Sequence, residues 1–128
     1  MKLHILSLNL SVIKLEPHQP IPEVLSSQEW FSVTRTRDEL SIVCPTSATH
    51  NLEKGESEHG WRCIQVAGVL DFGLTGILYA LTKPLAEHKI PVFAVSTYNT
   101  DYLLVKDAQL EKAREVLTLA GYTFDDSN

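Results

Sequence analysis

The run Trp61-Arg62-Cys63-Ile64-Gln65-Val66-Ala67-Gly68-Val69-Leu70, with the residues that follow it to Phe124, decides the fold. It is largely apolar, centred on Cys63 to Gly68, and reads as a strand. After the loop Asp71-Phe72-Gly73-Leu74-Thr75, the apolar residues Ile77, Leu78, Leu81 and Leu85 recur at helical spacing from Gly76. Thr75 is placed to cap the first turn of that helix, and Pro84 is placed to bend it. Pro91 to Ser96 is a further strand, Tyr98-Asn99-Thr100-Asp101 a turn, and Tyr102-Leu103-Leu104-Val105 the returning strand of a hairpin. Asp107 suits the N-cap of a second helix whose Leu110, Ala113, Leu117 and Ala120 share one face, and Gly121 supplies the stop. Tyr122-Thr123-Phe124 makes a last short strand. The order is β-α-β-β-α-β, the split arrangement of a ferredoxin-like sandwich.

Residues 1–60 are a weaker copy of that order. Leu6, Leu8, Leu10 and Val12 alternate with polar residues at the period of a half-buried strand, whereas Leu3, Ile5, Ile13 and Leu15 fall on the opposite phase, which predicts a bulge or bend. Pro17, Pro20 and Pro22 forbid regular pairing, and Pro22 can begin a short helix through Glu23, Val24 and Leu25. Trp30 to Arg35 and Leu40 to Cys44 form a hairpin around Arg37-Asp38-Glu39. From Pro45 to Gly60 the chain turns polar and reads as an exposed loop after a helical turn. The expected fold class is therefore α+β. It consists of two tandem ferredoxin-like sandwiches, a degenerate one over 1–60 and a regular one over 61–128, with shared or exchanged edge strands.

Composition narrows the function. The chain has 128 residues, 44% hydrophobic and 21% charged, which suits an ordinary globular protein. Eleven basic against sixteen acidic residues give a net charge of -5, so nucleic acid is not an expected partner. The cysteines Cys44 and Cys63 sit in apolar strand-like runs, as expected in a reducing cytoplasm. The opening residues are interrupted by His4, Ser7 and Asn9 and read as a strand rather than a signal peptide. No apolar run reaches the roughly 20 residues of a membrane span.

The loop from Gly68 to Gly76 places glycines where the backbone must approach something closely, and it aims free N–H groups at a helix start towards that place. Its spacing is a near miss of a phosphate-binding loop, with Leu74 where the lysine belongs. Asp71 in the loop disfavours a triphosphate. A zwitterion suits the same geometry, its carboxylate on the helix N-terminus and its ammonium on a carboxylate such as Asp71 or Asp101. The plainer reading is that Gly73 and Gly76 serve only a tight turn. The hairpin turn Ser96-Thr97-Tyr98-Asn99-Thr100-Asp101 is dense in donors and acceptors. Asn and Asp are also ordinary turn residues. Topology raises its interest, because the strands ending near Leu70 and beginning near Tyr102 are central neighbours that bring Asp71 and Asp101 towards one crevice. The histidines His4, His18, His50, His59 and His88 lack ligand spacing, so no metal is expected. Cys63 lacks a local activating motif and reads as inert.

Together the run Asp71-Phe72-Gly73-Leu74-Thr75-Gly76-Ile77, then Pro84 to Glu87, Ile90-Pro91-Val92, and Ser96-Thr97-Tyr98-Asn99-Thr100-Asp101 resemble the ACT domain. More narrowly they resemble the branch shared by small bacterial tandem-ACT proteins, the aspartate-kinase regulatory region and CASTOR-type arginine sensors. The resemblance covers Trp61 to about Tyr122 well and the first sixty residues in outline. It implies a non-catalytic, cytoplasmic regulatory or sensor protein, without a cofactor, that binds a small molecule, usually an amino acid, and pairs as a homodimer with a regulated partner protein. In that family the contacts come from the loop after the first strand and from the S-T-x-x-T-D turn. Carried over, Gly73, Leu74, Thr75 and Gly76 hold the carboxylate, while Thr97, Tyr98 and Asp101 face the ammonium or side chain. Asp71, Phe72, Ser96, Asn99 and Thr100 complete the expected ligand-binding set. Two other readings stay open: an interaction module with a closed pocket, and a small-molecule transferase using Asp71 or Cys63.

Overall fold

The computed structural model describes residues 1–50, 52, 55–70 and 75–125. In chain order the elements are β1 (Lys2–Ile5), β2 (Leu10–Leu15), a 3-10 turn (Glu23–Ser27), β3 (Ser32–Arg35), β4 (Leu40–Pro45), a 3-10 turn (Thr46–Ala48) and β5 (Glu56–Val66). They continue with α1 (Ile77–Glu87), β6 (Phe93–Ser96), β7 (Asp101–Lys106), a 3-10 turn (Asp107–Gln109), α2 (Leu110–Leu119) and β8 (Thr123–Asp125). The chain divides into two compact units, one from Leu8 to Trp61, the other made of Met1–Ser7 and the chain from Arg62 onward.

In the Leu8–Trp61 unit the strands lie in the order β3-β4-β2-β5, each pair antiparallel. With a 3-10 turn in each helix position, this is the ferredoxin-like order carried out with shortened crossovers. The prolines explain the shortening. Pro22 starts the first turn at φ -57, and the hydroxyls of Ser26 and Ser27 bond back to the carbonyls of Glu23 and Val24, competing with helix continuation. Ile13, Leu15, Leu25, Leu40, Ile42, Cys44, Ala48 and Leu52 form the core of this unit. The expected bulge falls between Leu10 and Val12, where the register against β5 shifts.

Glu56 to Gly60, expected as loop, is strand. Val12, Ile13 and Lys14 pair with Glu58, Ser57 and Glu56, and a backbone ladder forms there although Glu56, Glu58 and His59 are exposed. Hydropathy reads side chains, not ladder hydrogen bonds, and so passes over a strand of this kind.

In the second unit β1 lies between β8, to which it is parallel, and β5, to which it is antiparallel, and β7 pairs with both β5 and β6. The β-α-β-β-α-β order of β5, α1, β6, β7, α2 and β8 is complete, with β1 inserted as an extra strand. The sequence reading grouped β1 with residues 1–60. Pairing explains the difference: β1 forms its ladders with the Ile64–Val66 end of β5 and with β8, and Leu3 and Ile5 bury beside Ile64 and Val66.

Leu81 and Leu85 of α1 and Leu110, Ala113, Val116 and Leu117 of α2 close over Leu103 and Val105 to complete this core. Ala120, expected on that face, is exposed and Val116 takes its place, one turn nearer the helix start. Asp107 does not cap α2, because a 3-10 turn intervenes and Gln109 holds the N-cap position without a side-chain bond. Asp107 instead faces Arg62 at 3.4 Å. Pro84 lies within α1, which ends in a left-handed Lys89 at φ 59, with the Ile90 N–H donating to the Leu85 carbonyl at 2.9 Å.

Candidate functional site

A cleft of about 280 Å³ opens in the second unit, lined by Leu70, by Gly76, Ile77 and Leu78 at the start of α1, and by the whole β6–β7 turn from Ser96 to Asp101. The turn is held from within. The Thr97 N–H donates to the Thr100 carbonyl at 2.9 Å, as does the Thr97 hydroxyl at 3.0 Å, and the Thr100 N–H approaches the Thr97 hydroxyl at 3.3 Å. It is also tied to the chain that leaves β5. The Thr100 hydroxyl donates to the Val66 carbonyl at 2.7 Å, and the Leu70 N–H donates to the Asn99 carbonyl at 2.6 Å. Ser96 and Asp101 face each other across the strand pair, and the Ser96 hydroxyl donates to Asp101 Oδ1 at 2.7 Å.

The other wall is a helix start. Gly76 takes the N-cap position at φ 76, a left-handed conformation, and no side chain caps the helix, so Thr75 does not have the capping role expected of it. The first N–H groups of α1 lack intrahelical acceptors, and the helix dipole makes that end favourable to a carboxylate. Asp101 is the one carboxylate among the described lining residues, and no Lys, Arg or His lines the cleft with it. The walls thus offer donors at one place and a carboxylate at another, the complement of a zwitterion.

Of the expected ligand-binding set, Gly76, Ser96, Thr97, Tyr98, Asn99, Thr100 and Asp101 line the cleft together. Thr75 is exposed and does not line it. Asp71, Phe72, Gly73 and Leu74 lie outside the described residues, and with them the expected approach of Asp71 to Asp101. Sequence reasoning missed the apolar lining of Leu70, Ile77 and Leu78. Their signal is adjacency: each abuts a strand end or helix start that carries the polar groups.

A Cβ on Gly76 meets nothing within 4 Å, so the glycine is needed for its backbone rather than for space. Gly76→Val forces a β-branched residue into the left-handed region and should destabilise the protein by about 1–2 kcal/mol. Urea denaturation checks the effect, and an unchanged midpoint would mean the positive φ is dispensable.

Cys63 is fully buried, and burial pushes its thiol up from 9.0 to about 12. A thiol so raised is not a nucleophile at neutral pH. We expect no reaction of Cys63 with a thiol reagent in the folded protein at pH 8, and reaction only on unfolding. The same shift fixes a pH dependence. Above pH 9 the unfolded thiol loses its proton while the folded one keeps it, so this contribution to stability is intact below pH 9 and declines as pH rises towards about 12. Among the described residues there is no cluster of His, Cys, Asp and Glu able to hold a metal ion.

A family model described as the ACT domain matches residues 56–118, and a second, described as an N-terminal domain, matches residues 9–49. The chain is 29% identical over 130 residues to the cytosolic arginine sensor for mTORC1 subunit 1 of Bos taurus, an alignment covering 86% of this chain and 40% of that protein. It therefore spans well under two thirds of the length of the curated relative it matches. Its structure superposes on protein Atu0741 from Agrobacterium tumefaciens with a TM-score of 0.88 and 35% identity, over 97% of this chain and 91% of that one. The fold is also that of the ligand-free regulatory subunit of aspartate kinase from Thermus thermophilus, at a TM-score of 0.65 and 11% identity over 89% of this chain and 93% of that one. The strand order, the glycine helix start and the Ser96–Asp101 turn sit in or beside the matched segment, and residues 56–118 belong to the ACT domain family.

Proposed function

We propose that this protein is a non-catalytic regulatory module that binds an amino acid in the cleft between the start of α1 and the β6–β7 turn. The observation that carries the reading is the pairing of that uncapped helix start with Asp101 on one cleft. The ligand's carboxylate docks on the N–H groups of α1 and its ammonium on Asp101, each contact charge-assisted. Arginine is the first ligand to test, because the bovine relative is named as an arginine sensor.

The chain acts as a homodimer in the cytoplasm, and its ligand-dependent packing is sensed by a partner protein. Among the described residues no helix is long and apolar enough to cross a membrane.

A thermal-shift screen against the twenty amino acids, followed by calorimetry and by light scattering for the dimer, tests the reading. A ligand at 100 times its Kd stabilises by about 2.7 kcal/mol, which moves the melting midpoint by several degrees. One amino acid should stand out. A flat screen on folded protein would overturn the sensor reading in favour of an interaction module.

A further inference from the structure

We propose that Thr100 is the positioning residue of the cleft: its buried hydroxyl fastens the β6–β7 turn to the end of β5 and so fixes where Asp101 stands. The assignment rests on the amino-acid reading for its effect on binding, but not for the fastening itself. Thr100 is 3% exposed, and its hydroxyl is turned to the Val66 carbonyl. A buried hydroxyl needs a partner, and this one reaches the Val66 carbonyl, 34 residues away, at 2.7 Å. Thr49, the other buried threonine, bonds only three residues back, within its own turn.

The fastening has a second point. The Leu70 N–H donates to the carbonyl of Asn99, the neighbour of Thr100, at 2.6 Å. Residues 99 and 100 are thus anchored to residues 70 and 66, and the chain between them turns at Gly68, at φ 86. Leu70 on one side of this clamp and Asp101 on the other both line the cleft. Inside the turn, Thr97 bonds to the backbone of Thr100, so displacement of Thr100 carries the whole turn with it. Asp101 follows Thr100 directly, so besides its pairing with Ser96 its place depends on where Thr100 is fastened.

The test uses the full chain in three forms, wild type, Thr100→Val and Thr100→Ser. Valine keeps the shape and removes the hydroxyl, whereas serine keeps the hydroxyl. Amide exchange at Leu70, read by NMR without ligand, should accelerate about tenfold in Thr100→Val while the Leu117 amide stays protected, the size expected from one lost hydrogen bond. Calorimetric affinity for L-arginine should fall about tenfold with it, and Thr100→Ser should restore both. Unchanged Leu70 exchange in Thr100→Val overturns the clamp whether or not arginine binds. Faster exchange with unaltered affinity overturns its role in the site, and equal losses in the serine and valine forms overturn the hydroxyl as the cause. If wild type binds no amino acid, the functional reading fails while the exchange data still decide the clamp. Should Thr100→Val not fold, the wild-type Thr100 hydroxyl proton decides it: slow exchange supports the bond, and exchange at the solvent rate overturns it.

Discussion

Asp101→Ala should lower amino-acid affinity by about 10- to 100-fold while leaving the fold intact, because on the proposed reading it removes a charge-assisted contact of about 1.5–3 kcal/mol. The size follows from the walls of the cleft. Among the described lining residues no second carboxylate stands ready to receive an ammonium in its place. The fold survives because Asp101 is only half-buried and its hydrogen bond from Ser96 lies at the surface. Asp101→Asn separates charge from shape: it keeps the acceptor for Ser96 and loses the charge, so its affinity should lie near that of the alanine form. Calorimetry with the ligand found by screening gives the measurement. Affinity equal to wild type in both variants would remove Asp101 from the binding site.

Gly55→Ala should destabilise the Leu8–Trp61 unit by about 3 kcal/mol, the upper part of the range for overpacking. A Cβ at Gly55 would collide with the Lys14 carbonyl oxygen and stand 3.1 Å from its carbon, both backbone atoms that no rotamer change can move aside. Lys14 is paired with Glu56, so relieving the collision means prising apart the first rung of the β2–β5 ladder. Against a typical domain stability of about 5–15 kcal/mol this is a large share. Chemical denaturation followed by tryptophan fluorescence checks it. An alanine form as stable as wild type would show that β2 and β5 can part at that end without cost.

Much of the fold was legible in the sequence where side-chain pattern and backbone need coincide. Leu81 and Leu85, then Leu103 to Val105, then Leu110, Ala113 and Leu117 are apolar because they are buried, and spacing alone orders them. Three of the failures share one cause, that the deciding interaction belongs to the backbone. Glu56 to Gly60 form a strand through ladder bonds, α1 starts at a left-handed Gly76 instead of a Thr75 cap, and a 3-10 turn supersedes Asp107 as a cap. In the candidate site the polar turn Ser96 to Asp101 stood out by composition, and its residues do line one cleft. The direction of each hydroxyl did not show. Ser96 and Thr100 look alike as turn residues, yet one donates to Asp101 at the surface and the other to a strand carbonyl in the interior.

The insertion of β1 between β5 and β8 means that one strand of the second unit's sheet is contributed by a short segment remote in the chain. A fragment that starts at Arg62 would leave a slot between those strands, with Leu3 and Ile5 missing from its core. A separate peptide of residues 1–7 has the hydrogen-bonding groups and the two apolar side chains to fill that slot. The protein can therefore be cut into a receiver and a complementing strand, and reassembly of the two pieces would report on the folded state of this unit.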